Sequence, residues 1–334
     1  MTQFYKILFT MTLMSGSLIT ISSYSWLSMW IGLEINLLSI IPLLKDSKNI
    51  YPSESALKYF ITQALASTIF LFSIITNLNL NEIIPTNQNL YLNIILNSAL
   101  LTKMGAAPFH AWFPEVMDGI NWMNNLIMLT WQKLAPMVIL MYSIKMTFFL
   151  SSIIVFSATI GGIVGLNQIS MRKILAYSSI NHISWMIAGM LNSQSTWLIY
   201  FLIYISITMN IILILYLFNI FHLKQLFLVL NFNKMLKFFF MLNFLSLGGL
   251  PPFMGFFPKW LVINSLNQKG FLVISLILVL CTLITLFFYL RIMFSTIVLN
   301  SNESILVNHK LSIFFTVFTN FIMLVGLLGC TLIF

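Results

Sequence analysis

The chain has very few charged residues, because Lys, Arg, Asp and Glu make up only 7% of its 334 residues. A water-soluble protein needs about a quarter of its residues charged to cover its surface. Hydrophobic residues instead make up 60% of the sequence. This composition excludes a soluble globular protein and indicates an integral membrane protein. At about 20 apolar residues per transmembrane helix, it leaves no room for a soluble catalytic domain.

Cysteine is also scarce, since Cys281 and Cys330 are the only two and both lie in apolar runs without CxxC spacing. Their number excludes a disulfide framework and argues against an iron–sulfur or zinc site. The sequence also lacks GxGxxG, GxxxxGK[ST] and any pair of histidines with haem or metal spacing. We therefore expect no cofactor and no metal on this chain. The net charge of +9 would suggest nucleic acid for a soluble protein, but in a membrane protein it bears on topology.

Long apolar runs predict transmembrane helices, because they are about twice as long as a strand that spans a bilayer. The predicted fold class is therefore all-α, a polytopic membrane helix bundle of about 11 transmembrane helices. The N-terminal run lacks a small-residue cleavage site, so we interpret it as the first span and not as a removable signal. The predicted spans are residues 3–22, 25–44, 57–77, 91–113, 122–143, 148–167, 174–191, 196–220, 236–257, 271–294 and 311–333.

Basic residues are unevenly distributed between the two sides of this predicted bundle. With the N-terminus inside, the inner side holds 11 of them and the outer side only two, Lys145 and Lys269. Inner loops carry an excess of Lys and Arg, so the asymmetry predicts an inner N-terminus and an outer C-terminus. The 11 inner residues are Lys6, Lys45, Lys48, Lys58, Arg172, Lys173, Lys224, Lys234, Lys237, Arg291 and Lys310.

A short internal repeat links two spans that contain helix-breaking residues. GAAPFHAWFPE at 105–115 and GLPPFMGFFPK at 249–259 match at five of eleven positions, with a constant offset of 144. Proline removes an amide donor, so Pro108 and Pro252 would each free a carbonyl four residues earlier. A break survives in lipid only where protein or trapped water satisfies the backbone, so matched breaks mark transport paths. Because the breaks fall five spans apart, we expect inverted repeats with two discontinuous helices, and two ordinary proline kinks are the alternative.

Four charged residues lie within or at the edge of the predicted spans, where an ionised group is costly. Glu34 is near the middle of the second span, Lys103 precedes the first break, and Lys133 is central in the fifth span. Lys259 ends the second broken segment, where snorkelling to the membrane surface is the alternative. A buried amine whose proton affinity depends on a nearby carboxylate can take up and release a proton. These four residues therefore predict a proton relay, with structural ion pairing as the alternative for Glu34.

Two histidines in the predicted spans are candidate intermediates, because imidazole gives and takes protons near neutrality. They are His110, seven residues beyond Lys103, and His182 in the seventh span. A satisfied hydrogen-bond donor is the alternative for both. Glu115 and Asp118 follow the first break, and we expect them to cap a helix or to bind basic loops.

Five blocks of the sequence carry a resemblance to a known family. They are GLEINLLSIIPLL at 32–44, LKYFITQALAS at 57–67, LTKMGAAPFHAWFPEVMDG at 101–119, LTWQKLAP at 129–136 and LSLGGLPPFMGFFPKW at 245–260. Together they resemble the subunit 2 family of NADH dehydrogenase, the antiporter-like membrane subunits of mitochondrial respiratory complex I. The resemblance covers nearly the whole chain, whose composition looks like that of an AT-rich, insect-like mitochondrial genome. It implies a single antiporter-like transmembrane domain over residues 1–334, with halves centred on broken helices near 101–115 and 245–259.

The resemblance also implies a function, since family members couple electron transfer from NADH to ubiquinone to proton translocation across the inner mitochondrial membrane. Glu34, Lys103, Lys133 and Lys259 match the residues of the family's proton path. NAD, FMN, iron–sulfur clusters and ubiquinone would be used elsewhere in the complex. The implied partners are other membrane-arm subunits of complex I, phospholipids and internal water, but no nucleic acid. The inner side becomes the matrix.

Two other functions remain open from the residues alone. A free-standing cation/proton antiporter would share the broken helices and buried lysines. A structural membrane subunit would use its buried charges only to lock helices together.

Overall fold

The computed structural model describes residues 4–45, 49–83, 90–144, 146–229 and 234–298, together with 320, 321 and 326. The described part is helical, as predicted, and an isolated bridge joins Ser170 to His222. The chain divides into two compact units, residues 1–153 and 154–334. Among the described residues, six helices are long and apolar enough to cross a membrane, within spans Phe4–Ser22, Trp26–Leu44, Tyr51–Asn79, Thr147–Gly165, Gln194–Leu217 and Leu272–Thr296.

The first unit contains the predicted spans one to five, two of which are interrupted. The fourth predicted span forms α4 and α5 with a break between them, and the fifth forms α6 and α7, which meet at Thr130. The break at Thr130 was not predicted. The helices are α1 (Phe4–Ser22), α2 (Trp26–Leu44), α3 (Tyr51–Ile83), α4 (Leu90–Met104), α5 (Trp112–Gly119), α6 (Trp122–Leu129) and α7 (Trp131–Tyr142).

Two glycines allow α1 and α2 to approach backbone to backbone. A Cβ atom added at Gly32 would lie 2.5 Å from Thr20 Cγ2 and 2.9 Å from the Gly16 carbonyl oxygen. A Cβ at Gly16 would lie 3.0 Å from the amide nitrogen of Asn36. Small residues permit such close helix contacts in membranes, where packing rather than water exclusion holds helices together. This contact fixes the segment of α2 that carries Glu34.

The second unit contains the predicted spans seven to ten and most of span six, whose helix α8 begins in the first unit. A short helix, α11, was not predicted. The predicted span 311–333 lies outside the described residues, except for 320, 321 and 326, and so do Lys48, Lys145, His309, Lys310 and Cys330. The helices are α8 (Thr147–Gly165), α9 (Met171–Met190), α10 (Gln194–Leu217), α11 (Leu223–Val229), α12 (Lys234–Gly248), α13 (Phe256–Gln268) and α14 (Leu272–Val298).

Helix α9 is the buried core of the second unit. Nearly all of its residues are buried, including polar ones such as Asn181 and Ser184. Asn181 Nδ2 donates a hydrogen bond of 3.2 Å to Thr285 Oγ1 of α14. A Cβ at Gly161 of α8 would lie only 2.8 Å from the Asn181 amide nitrogen, so α8 and α9 are in close contact. Polar side chains on a helix enclosed by others can be satisfied within the bundle, away from lipid.

Candidate functional site

The two predicted discontinuous helices are present, and their breaks have the same backbone structure. Gly105 and Gly249 have positive φ angles of 74° and 79°, a conformation that glycine adopts without steric cost. Each glycine follows a helix end closed by a Schellman cap. At the first break, the Gly105 amide donates to the Thr102 carbonyl at 3.2 Å and the Ala106 amide to the Leu101 carbonyl at 3.0 Å. At the second break, the Gly249 amide donates to the Ser246 carbonyl at 3.0 Å and the Leu250 amide to the Leu245 carbonyl at 3.3 Å. Corresponding positions are 144 residues apart.

The breaks have a different cause from the one predicted. Pro108 and Pro252 lie in the segments between the helices, three residues beyond the left-handed glycines. The glycine therefore ends each helix, and the proline follows it, where a helix cannot continue. The matched glycines were visible in the repeat, but glycine inside an apolar run does not by itself predict a cap.

Side chains satisfy the exposed carbonyls at the first break. Gln63 Nε2 of α3 donates to the Lys103 carbonyl at 3.3 Å, and Trp112 Nε1 donates to the Thr102 carbonyl at 3.0 Å. The last carbonyls of a helix have no partner within the helix and are costly to leave unpaired when buried. Neutral donors therefore close the first break.

Lys103 and Glu34 lie near one another in the first unit. The Lys103 side chain is only 7% exposed, and the Glu34 carboxylate acts on it electrostatically. Among the described residues the two groups form no direct ion pair, and Glu34 Oε1 is buried without a hydrogen-bond partner. A carboxylate held near an amine but not bonded to it can bias the proton affinity of that amine as their separation changes.

Lys133 is 1% exposed and lies one turn after the interruption at Thr130. Its Nζ is 5.4 Å from the centre of the Phe113 ring on α5. This distance allows a cation–π interaction with the second half of the first broken helix. Lys103 and Lys133 are thus both associated with the first break, one with each of its two halves.

An amide pair next to Lys133 was missed by the sequence analysis. Asn36 Nδ2 donates to Gln132 Oε1 at 3.1 Å, and Gln132 Nε2 donates to Asn36 Oδ1 at 3.0 Å. Tyr59 donates to the same Gln132 oxygen at 3.3 Å. These contacts join α2, α3 and α7 in the interior of the first unit. Amide side chains inside predicted apolar spans were the signal, but their pairing across 96 residues cannot be read from one sequence.

Lys259 caps the second break and does not snorkel. Its Nζ donates to the Leu247 and Gly248 carbonyls at 2.9 and 2.8 Å, and the side chain is 7% exposed. The ring of Trp185 lies 5.9 Å from the ammonium. A cation is favoured at a helix C-terminus because it complements the helix dipole. The second break is therefore closed by a charge, whereas the first is closed by neutral donors.

The two candidate histidines have different surroundings. His182 is 6% exposed, and its Nδ1 is 2.8 Å from the Tyr200 hydroxyl. It also borders a small cavity of ≈ 10 Å³, together with Leu247 and Tyr204. His110 is half-buried in the first break, and its Nδ1 is 3.2 Å from the Pro108 carbonyl oxygen. The structure thus places His182 beside the cap that holds Lys259, and His110 within the segment that follows Lys103.

Glu115 binds a basic residue, as expected. Lys58 Nζ lies 3.1 Å from Glu115 Oε2 and 3.1 Å from Glu54 Oε1 on its own helix. All three side chains are exposed, so the pairs contribute little to stability. These three residues and Asp118 line a surface cavity with a volume of ≈ 140 Å³. In the part of the chain that the structure describes, no three His, Cys, Asp or Glu side chains come together as metal ligands.

The chain matches a family model described as NADH:quinone oxidoreductase/Mrp antiporter, TM, over residues 23–285. It is 50% identical to NADH-ubiquinone oxidoreductase chain 2 of Aedes aegypti over 334 residues, which cover 98% of this chain and 97% of that one. The corresponding protein of Anopheles gambiae is 47% identical over 333 residues, with the same coverage. The fold is similar to a chain in the structure of respiratory complex I from Thermus thermophilus with bound aureothin, with a TM-score of 0.86 and 24% identity over 98% of this chain and 79% of that one.

Proposed function

The chain belongs to the NADH-ubiquinone oxidoreductase chain 2 family, and we propose that it is a core membrane subunit of respiratory complex I that takes part in proton translocation. The reaction of the whole complex would be proton-translocating electron transfer from NADH to ubiquinone. This chain would hold no redox centre, and the cofactors of electron transfer would belong to other subunits. Its place would be the inner mitochondrial membrane, with the N-terminus in the matrix.

The observation that carries this proposal is the burial of three lysine amines inside the two units. Lys103, Lys133 and Lys259 are 7%, 1% and 7% exposed. Lys103 and Lys259 form no ion pair with any carboxylate among the described residues. A buried ionisable group that makes no direct ion pair is expensive in a membrane protein, so the retention of Lys103 and Lys259 favours a functional role over a structural one.

The geometry supports a relay in which charge moves between neighbouring groups in each unit. In the first unit, Glu34 biases Lys103 electrostatically, and Lys133 lies against the other half of the same broken helix. In the second unit, Lys259 lies at the α12 cap, and His182 borders a small cavity that Leu247, whose carbonyl accepts from Lys259, also lines. His110 would connect Lys103 with the end of the first break. A proton arriving at one amine raises the cost of a second charge nearby, so loading and release alternate.

Substituting Lys133 by Met tests this proposal. Met keeps an unbranched side chain of similar length but removes the charge, so we expect normal assembly of the complex and loss of NADH-driven proton pumping. The measurement is acidification of inverted membrane vesicles, with the amount of assembled complex read from a native gel. The control is Lys6→Met on the exposed side of α1, which should pump normally. Normal pumping by Lys133→Met would favour the structural-subunit reading.

A free-standing cation/proton antiporter is the competing function. The two curated relatives above are named for an oxidoreductase chain, which favours the complex. Gentle detergent extraction separates the two functions. A chain that always migrates alone, near its own mass of 38.4 kDa and without NADH dehydrogenase activity, would contradict the subunit assignment.

A further inference from the structure

The start of α7, which carries Lys133, has little support from its own backbone. The Thr130 hydroxyl donates back to the Leu126 carbonyl of α6 at 2.7 Å and does not cap α7. The amide of Lys133 reaches the Thr130 carbonyl at 3.3 Å, which is a tight turn rather than a full helical bond. One turn later, Pro136 has no amide to donate to the Gln132 carbonyl. Backbone bonds within α7 therefore hold the position of Lys133 only loosely.

The first residue of α7 is bound instead to α1. Trp131 Nε1 donates to Ser17 Oγ at 3.1 Å, while the Ser17 hydroxyl donates to the Met14 carbonyl of its own helix at 2.8 Å. Ser17 is fully buried, and it follows Gly16, where α1 and α2 approach backbone to backbone. The indole of Trp131 is therefore tied to a closely packed part of the first two helices.

The second residue of α7, Gln132, is bound to α2 and α3. Its amide exchanges two hydrogen bonds with the amide of Asn36, at 3.1 and 3.0 Å, and its oxygen also accepts from Tyr59 at 3.3 Å. Two parallel bonds between the same planar groups resist rotation as well as separation. Asn36 is 3% and Gln132 9% exposed, and a buried amide is costly to leave without a partner. The pair therefore fixes the first turn of α7 in both distance and orientation.

These contacts determine where the Lys133 side chain leaves the helix. Lys133 follows Trp131 and Gln132 directly, and the direction of a side chain on a helix is set by the backbone around it. Its amine lies 5.4 Å from the centre of the Phe113 ring on the second half of the first broken helix. Asn36 lies two residues after Glu34 on α2. The contacts thus also fix the start of α7 against the turn of α2 that carries the acid.

We propose that this group of side chains positions Lys133 for proton transfer, an inference that rests on the proposed function because it takes Lys133 to be part of the relay. A proton passes between two groups only when they come within about 2.6–3.2 Å, directly or through one water, so the place of the amine matters. A neutral amide does not itself take up a proton near neutrality, so Gln132 is a positioning residue. We call the group the α7 anchor, and its members are Ser17, Asn36, Tyr59, Trp131 and Gln132.

A second buried amide contact of α7 offers a matched comparison. Asn97 of α4 is fully buried, its Nδ2 donates to the Ser143 carbonyl at 3.2 Å, and the Ser143 hydroxyl donates to its Oδ1. Ser143 is the C-cap of α7 and lies ten residues beyond Lys133. This contact joins α7 to another helix, as the anchor does, but at the end that does not carry the lysine. A role in holding helices together would make the two contacts equivalent.

The test measures NADH-driven proton pumping by inverted membrane vesicles, divided by the amount of assembled complex on a native gel. Gln132→Met removes the amide but keeps the length of the side chain. We expect it to lower pumping at least about tenfold, since a misplacement of about 1 Å can cost about 10²-fold. The exchanged pair, Asn36→Gln with Gln132→Asn, keeps two facing amides of the same combined length and should restore most of the rate. Asn97→Leu should pump at the wild-type rate.

Three results would overturn the positioning role. They are normal pumping by an assembled Gln132→Met complex, equal losses with Gln132→Met and Asn97→Leu, and an assembled exchanged pair that pumps no better than Gln132→Met. If Gln132→Met does not assemble, Ser17→Ala decides, because it removes only the oxygen that accepts from Trp131. A loss relative to Ser15→Ala, at an exposed position of the same helix, supports the anchor, and equal rates overturn it.

Lys133→Met separates this inference from the function on which it rests. Normal pumping by that variant contradicts the proposed function. Lost pumping by Lys133→Met together with normal pumping by Gln132→Met contradicts the positioning role alone.

Discussion

Replacing Gly249 by Ala perturbs the cap that holds Lys259. The new Cβ atom would lie 2.6 Å from Lys259 Cδ and 2.9 Å from its Nζ, so the lysine side chain must move. A left-handed conformation costs an L-residue about 1–2 kcal/mol. Loss of one charge-assisted hydrogen bond to the α12 end adds about 1.5–3 kcal/mol. We therefore expect Gly249→Ala to lower the free energy of unfolding by about 2.5–5 kcal/mol in all.

Gly270 provides a matched control for this substitution. It also follows a helix end, its φ angle is 81°, and a Cβ added there meets nothing within 4 Å. Gly270→Ala should therefore lower the free energy of unfolding only by the backbone cost of a left-handed residue, about 1–2 kcal/mol. The assay is SDS-induced unfolding of the full chain in dodecyl maltoside micelles, followed by far-UV circular dichroism. In a Lys259→Ala background, Gly249→Ala and Gly270→Ala should lower the free energy of unfolding by equal amounts.

The result that would refute this reasoning is equal destabilisation by Gly249→Ala and Gly270→Ala in the wild-type background. Lys259 would then not be fixed at the α12 carbonyls in the folded protein. A larger loss with Gly249→Ala that persists without the lysine would instead place the clash in the backbone.

Substitutions at two further buried polar contacts can be tested by the same unfolding assay. Asn36→Leu and Gln132→Leu should each lower the free energy of unfolding by about 1–3 kcal/mol, because each leaves the other amide without its partner. The double variant should lower it by less than the sum of the two single variants. Additive losses would show that the pair does not form. Tyr200→Phe should cost about 1–3 kcal/mol, because His182 Nδ1 loses its partner. The control Tyr216→Phe on an exposed position should stay within about 0.5 kcal/mol, and equal effects would contradict the contact.

The helical class, the six long membrane spans among the described residues and the positions of both predicted helix breaks could be predicted from the sequence. Apolar run length determines the first two, since few other structures satisfy the backbone in lipid. The repeat located the breaks because Pro108 and Pro252 recur at a fixed offset, although Gly105 and Gly249 are the residues that end the helices. The break at Thr130 could not be predicted, since that segment has neither glycine nor proline beside it.

The candidate site was predicted as a set of residues but not as an arrangement. Burial of Lys103, Lys133 and Lys259 follows from their place in apolar runs. Their partners depend on packing between helices distant in sequence, such as the contact of Lys133 with Phe113. One sequence contains no record of which helix faces meet, so the role of Lys259 as a helix cap became visible only in three dimensions.

The matched breaks give positions 115 and 259 equivalent places in the two units, each a fixed number of residues after its left-handed glycine. Glu115 is an exposed acid that pairs with Lys58, and Lys259 is a buried base that donates to the carbonyls at the end of α12. The same backbone structure thus occurs twice, and the residue at the equivalent position carries opposite charge in the two units. In the second unit the charged residue at this position therefore binds the carbonyls that end α12, whereas in the first unit it pairs with Lys58 at the surface.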